Sequence, residues 1–213
     1  MPSLRQLIAQ SSPVLVLDAA SERIQVGLLA PDSDRWCTAT TDAGRGLFRA
    51  LDELGVEPSA IEAFVFCDGP GSILGIRATA MVLRTWNVLR RRRVYCYHSL
   101  AVVAAARADP SLTFIADARR DHWHCLRTGG ELTRVATSKL SGRMVMPEGF
   151  GTWSKLPAGV ERLPYDLSAL FAAENVREAD LLRETREPDA FLHESPQYVT
   201  WTPEIHRAPA TQQ

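Results

Sequence analysis

Apolar and polar positions along this chain fall into blocks that read as strands and helices in turn. Residues 14–17 (VLVL) contain no polar side chain, the pattern of a strand buried on both faces. A polar turn at 18–23 leads to a returning strand at 24–30, and the turn at 31–34 leads to a third at 36–40. Three strands on short turns predict an antiparallel meander. Asp42 is placed to cap a helix running to Leu54, with Leu47, Leu51 and Leu54 at helical spacing and Phe48 beside them. A strand at 61–67, a glycine-rich turn and a helix over 75–89 follow. Ser99 is placed to cap a short helix through 108, 112–116 reads as a buried strand, and 122–127 as its hairpin partner. Beyond 130 the pattern predicts short strands near Val145 and at 160–163, a helix capped by Asp166 through 173, and another helix at 178–186. The resulting organisation is an N-terminal extension at 1–12, a lobe at 13–108, a smaller lobe at 109–200 and a tail at 201–213.

The helix over 75–89 is apolar nearly all round. Ile76, Ala80 and Leu83 share one side, and Ala78, Met81, Val82, Thr85 and Leu89 take much of the other. Only Arg77 and Arg84 form a polar seam. Such a helix must be covered twice: once by its own sheet, and again by a second helix layer or by a partner chain. With the Leu47–Leu51–Leu54 helix it makes a candidate association surface. The four arginines that follow, at 90–93, fit a helix end facing solvent, with an RNA-phosphate contact as the alternative.

The turn feeding that helix is Cys67-Asp68-Gly69-Pro70-Gly71-Ser72-Ile73-Leu74-Gly75-Ile76-Arg77. Its glycines allow close approach of another backbone or an anion, and Ser72 can cap the helix. Glycine loops at helix starts can hold phosphate, but the spacing here is neither GxxxxGK[ST] nor GxGxxG. A structural strand-to-helix turn is therefore the first expectation. Gly69-Pro70-Gly71-Ser72 followed by Gly75-Ile76-Arg77 resembles the GPGSFTGLR signature of the TsaB (YeaZ) family. Residues 15–21 (LVLDAAS) resemble that family's opening strand LAIDTAT, and 115–120 (IADARR) its IDARR segment. The three matches fall in the family's order across residues 14–127.

The resemblance implies an α/β, actin-like or sugar-kinase-like (ASKHA) fold of two related lobes, with mixed sheets flanked by helices. It implies a noncatalytic subunit that binds a TsaD-like enzyme as a heterodimer, with a TsaE-like ATPase as further partner and a homodimer as an alternative. The enzyme would place threonylcarbamoyladenosine on tRNA, which this chain would meet only indirectly. The interface would use Leu47, Leu51, Leu54, Ala78, Met81, Val82, Arg84, Thr85 and Leu89. No cofactor is expected in the chain itself, with ATP or ADP only at an interface with partners. Asp18, Asp117 and Arg119 are its residual nucleotide-side positions. The chain departs from the family where Ile73-Leu74 replaces Phe-Thr and Asp42-Ala43 replaces His-Ser. Residues 196–199 (PQYV) resemble the closing P-x-Y-L-R segment without its arginine.

Composition narrows the function further. A net charge of −1 over 213 residues gives no field for nonspecific nucleic-acid binding. Cys37, Cys67, Cys96 and Cys125 are far apart, which fits reduced, buried thiols in a cytoplasmic protein rather than a redox pair. The first residues lack the apolar core of a signal peptide, and no apolar run has the length of a membrane span. His122 and His124 alternate on one strand but are too few for zinc, and neither HExxH nor HxxxH occurs, so no metal is expected. Ser72 lies outside any G-x-S-x-G elbow. The rival reading is an actin-like kinase or acyltransferase using Asp18, Asp117 and the glycine loop; both aspartates, however, are followed by turns without glycine.

Overall fold

The computed structural model describes residues 2–191, so the expectations for 196–199 and 201–213 lie outside the described residues. The chain opens with α1 (Leu4–Gln10), a helix closed by a Ser3/Gln6 capping box, whose Leu4, Leu7 and Ile8 are buried. The meander follows as β1 (Val14–Asp18), β2 (Ile24–Ala30) and β3 (Ser33–Ala39), antiparallel in sequence. Next come α2 (Ala43–Glu53), capped by Asp42 as expected, β4 (Ala63–Gly69) and α3 (Ile73–Leu89). β4 runs parallel to β1, and β5 (Arg93–His98) runs parallel to β4. Every residue of β1 and β4 is buried, so the centre of this sheet is covered on both faces.

After α4 (Ser99–Arg107) the second half repeats the design with β6 (Leu112–Asp117), β7 (His122–Arg127), β8 (Thr133–Ala136), β9 (Arg143–Pro147) and β10 (Glu161–Leu163). Five strands of the first sheet run in the order β3-β2-β1-β4-β5, with a sixth, Arg183–Thr185, beyond β5, and the second sheet runs β8-β7-β6-β9-β10, with matching parallel and antiparallel pairs among the five. Two mixed sheets of one topology, flanked by helices, make an actin-like arrangement of related halves. The halves are unequal, however. Where α2 stands in the first, the second has a 3-10 turn at Thr137–Lys139, and no helix lies between β9 and β10 where α3 would be. α4 packs on β4 and β5 and also on β6 and β7, joining the two sheets. Among the described residues no helix is long and apolar enough to cross a membrane.

Two local expectations are corrected. The helix expected at 178–186 is absent: α5 (Leu167–Ala172) and α6 (Glu174–Glu178) precede it, and Arg183–Thr185 forms β11, antiparallel to β5. β5 offers an open edge, and Arg93 pairs with Glu184 across it at 3.1 Å, so tertiary partners outweigh helix propensity. Ser99 does not cap α4; its hydroxyl donates to the Pro70 carbonyl at 2.6 Å. The arginines at 90–93 stand at the helix end as expected: Arg90 is the C-cap of α3, Arg90, Arg91 and Arg93 are exposed, and Arg93 begins β5.

The close approach of α3 to the turn after β1 sets the cost of filling it. A Cβ on Gly75 would lie 2.0 Å from the Ala19 carbonyl oxygen, whereas one on Gly129, with φ +74, meets open space. Gly75→Ala is expected to cost about 3 kcal/mol by overpacking, and Gly129→Ala about 1 kcal/mol for its left-handed backbone. Urea unfolding of both variants checks this, and equal costs would contradict the contact.

Candidate association surface

The glycine loop spends its freedom on this chain's own backbone. Gly69 and Gly71 hold φ values of +128 and +156, and a Cβ on Gly71 would lie 2.4 Å from the Ala20 oxygen. The Ser72 amide donates to that same oxygen at 2.7 Å, and the Ser72 hydroxyl accepts from the Gly75 amide at 3.3 Å. Pro70 receives Ser99, as noted above. The signature positions Gly69, Pro70, Gly71, Ser72 and Gly75 thus form a joint that locks the start of α3 against β1.

Asp18 and Asp117 end equivalent strands and are used differently. Asp18 is fully buried: Oδ1 accepts from the Ala20 amide at 2.8 Å, and Oδ2 from Tyr97 at 2.6 Å and Tyr165 at 2.7 Å. Burial pushes its pKa up from 3.8, and the three donors only partly oppose this. Both tyrosine hydroxyls are themselves pushed well up by burial and stay protonated. Asp117 accepts from the Arg119 amide at 2.5 Å and from the amides of Trp153 and Ser154 at 2.7 and 2.6 Å, latching a loop of the second half. The Arg119 guanidinium lies 4.4 Å over the Trp153 ring. Beside the glycine loop is a cleft of about 470 Å³, whose charged side chains are Glu22, Glu148 and Arg162. Two carboxylates against one guanidinium are a poor match for phosphate.

A polar cluster behind the loop had no local sequence signal, since its members come from three strands. The nearly buried Asp68 carboxylate takes a hydrogen bond from Arg183 at 2.6 Å and lies 3.0 Å from His98 Nδ1. Phe191 packs edge-on against His98 at 4.8 Å between ring centroids, and its amide donates to the Asp68 carbonyl. This cluster ties β11 and the segment after it back to β4 and β5.

With its start fixed, α3 turns Ile76, Thr79, Ala80 and Leu83 inward. Outward it exposes Leu74 (82%), Met81 (68%), Val88 (85%) and Leu89 (81%). Half-buried Ala78 and exposed Thr85 complete a stripe 74-78-81-85-88, whose alternating steps of four and three are those of a coiled-coil seam. Val82 is half-buried. The expected contribution of α2 is corrected: Leu47, Leu51 and Leu54 are buried in the core, and the large apolar side chain that α2 exposes is Phe48, at 53%. The helix is amphipathic, and the leucines on its stronger face were claimed by the chain's own sheet. Arg77 and Arg84 both pair with Asp189, at 3.7 and 3.4 Å, so the polar seam is engaged from within the chain.

The fold is shared with two solved structures. YeaZ from Pseudomonas aeruginosa superposes with a TM-score of 0.55 at 22% identity, covering 75% of this chain and 89% of that one. A crystal structure titled as an uncharacterized protein with similarity to peptidase YEAZ from Pseudomonas aeruginosa gives 0.53 at 24%, with the same coverage. The chain has a YeaZ-like fold. The family model described as TsaD, tRNA N6-adenosine threonylcarbamoyltransferase, matches residues 44–149, which hold α2, the glycine loop and α3. No curated protein matches the chain.

His122 Nδ1 lies 2.7 Å from the Arg120 carbonyl oxygen, and among the described residues no three metal-binding side chains converge. All four cysteines are free. Burial raises the Cys67 thiol well above its ordinary value, Cys96 to about 12 and Cys125 to about 11.

Asp18 gives a pH signature. Its folded pKa lies above the unfolded value, so its contribution to stability is fully present below about 3.8 and is lost as pH rises through the folded value. In Asp18→Asn the charge is absent, and the tyrosine hydroxyls can turn to accept from the amide. Urea titrations from acidic to neutral pH should show wild type losing stability relative to the variant, by up to about 1.4 kcal/mol per pH unit. A relative gain with pH would mean a stabilised carboxylate instead.

Proposed function

We propose that this chain is a TsaB-like, noncatalytic subunit that docks a TsaD-like enzyme and supports threonylcarbamoyladenosine formation on tRNA. The carrying observation is the exposed seam Leu74–Ala78–Met81–Thr85–Val88 on α3, joined by Phe48 of α2. An ordered helix seldom presents a continuous apolar stripe to water without a partner. Asp18, sealed under two tyrosines, and Asp117, filled by backbone amides, leave little for an activity based on those carboxylates. That supports a binding role over the kinase or acyltransferase alternative. In this reading the transfer chemistry belongs to the enzyme, and ATP or ADP is met only where partners join. A TsaE-like ATPase completes the assembly in the cytoplasm.

The test is co-expression with the TsaD-like protein of the same genome, followed by size-exclusion with light scattering. Met81 is exposed, so Met81→Asp should change monomer stability by no more than about 0.5 kcal/mol. It should weaken the complex roughly 30-fold or more, as for a contact worth about 2 kcal/mol at an interface centre. A wild-type homodimer with no heterocomplex would assign the seam to self-association. A wild-type monomer that binds Mg-ATP alone would replace the scaffold reading with an enzyme.

A further inference from the structure

At the C-terminal end of α3 the surface falls into a groove of about 1050 Å³. Six arginines line it (Arg84, Arg90, Arg91, Arg92, Arg93 and Arg186) against three glutamates, Glu62, Glu184 and Glu187. A chain of net charge −1 therefore gathers a local excess of cations that its overall balance conceals. Arg90 is held by Glu62 at 2.9 Å and by the Ser59 carbonyl at 2.6 Å, Arg93 by Glu184, and Arg84 by Asp189. These pairs are half-exposed and contribute little in water. Arg186 and Arg92 feel Glu184 and Glu62 only as longer-range charges, so the carboxylates within contact distance are spent on Arg90, Arg93 and Arg84.

Arg92 is the telling member. Its Nε is buried without a hydrogen-bond partner, and its guanidinium lies over the Phe64 ring at 5.4 Å. Burial, together with the neighbouring Arg90, lowers its pKa. The chain nevertheless holds it in place: Asn87 Oδ1 accepts from the Arg92 amide, and Asn87 Nδ2 donates to the Arg92 carbonyl, both at 3.2 Å. Like charges fixed side by side with incomplete counter-charge are destabilising until an anion arrives. The groove is far larger than one phosphate, and its guanidinium groups are spread along it. Arg84 and Val88 line both the groove and the end of α3, so it continues from the seam proposed above for docking.

We infer that this groove binds the phosphate backbone of RNA. The choice of RNA rests on the proposed docking of a tRNA-modifying enzyme, which would bring its substrate alongside. The groove positions the backbone and reads no sequence. The experiment is fluorescence anisotropy with a labelled, unmodified tRNA transcript. It uses the full-length chain in complex with its TsaD-like partner, and the full-length chain alone at low salt. Arg91 and Arg186 are exposed and lie off the seam, so Arg91→Glu/Arg186→Glu should keep its melting temperature and still co-elute with the enzyme. Its affinity for the transcript should fall roughly tenfold, and the slope of log affinity against log salt should flatten by about one per arginine removed. Unchanged affinity and slope in an intact complex overturn the groove and leave the docking proposal standing. If wild type forms no complex, the docking proposal fails, and the chain alone decides the groove: binding lost in the variant supports it, and no binding overturns it. Displacement of the transcript by polyglutamate as readily as by unlabelled RNA would overturn RNA in favour of an acidic polypeptide.

Discussion

The Ser72 amide meets the Ala20 carbonyl at 2.7 Å, and glycines at 71 and 75 clear the space for that approach. One joint thereby fixes where α3 begins and how it is rotated about its axis. Asp18 holds the other side of the joint, since Oδ1 orients the Ala20 amide while Oδ2 receives tyrosines from β5 and from the second half. Gln25 adds to the same seam, donating to the Tyr165 carbonyl at 3.0 Å and accepting from the Leu167 amide at 2.8 Å. Buried polar networks of this kind contribute most when every member is satisfied. Here they set the geometry between the two halves as well as that of α3.

The repeated strand order shows what the two halves share, and the strand-end aspartates show how they diverge. In the first half α3 covers the sheet, and Asp18 is sealed beneath the joint. In the second half no helix stands between β9 and β10, and the loop through Trp153 and Ser154 is held by Asp117 instead. A carboxylate at the same topological place thus serves as a buried brace in one half and as a surface latch in the other. Each carboxylate is engaged by donors of the chain itself.

Much of this was legible in residue order because the signals were local. Asp42, Ser72 and Asp166 cap the helices that follow them, and the all-apolar run at 14–17 and the buried-looking one at 112–116 became central strands. What escaped depends on partners distant in sequence. Arg183–Thr185 became a strand because β5 had an open edge and Asp68 and Glu184 offered opposite charges across it. Leu47, Leu51 and Leu54 show the correct period, but periodicity cannot say whether an apolar face meets the chain's own core or a partner. The Asp68–His98–Arg183 cluster draws on three strands and leaves no trace in any one of them.

The proposed association face mixes large and small side chains. Along the seam large residues alternate with small ones: Leu74, Ala78, Met81, Thr85, Val88. Bulky groups of an approaching helix could settle over Ala78 and Thr85 while Leu74, Met81 and Val88 enter the gaps opposite, the interdigitation that close helix pairs require. Asp189 draws Arg77 and Arg84 toward the segment after β11, whose Phe191 amide is anchored on the Asp68 carbonyl. Among the described residues, the segment after β11 therefore engages the polar seam of α3, while the apolar stripe stays exposed. A helix pinned at its start and paired along one edge keeps its apolar edge exposed among the described residues, which agrees with the docking proposed above.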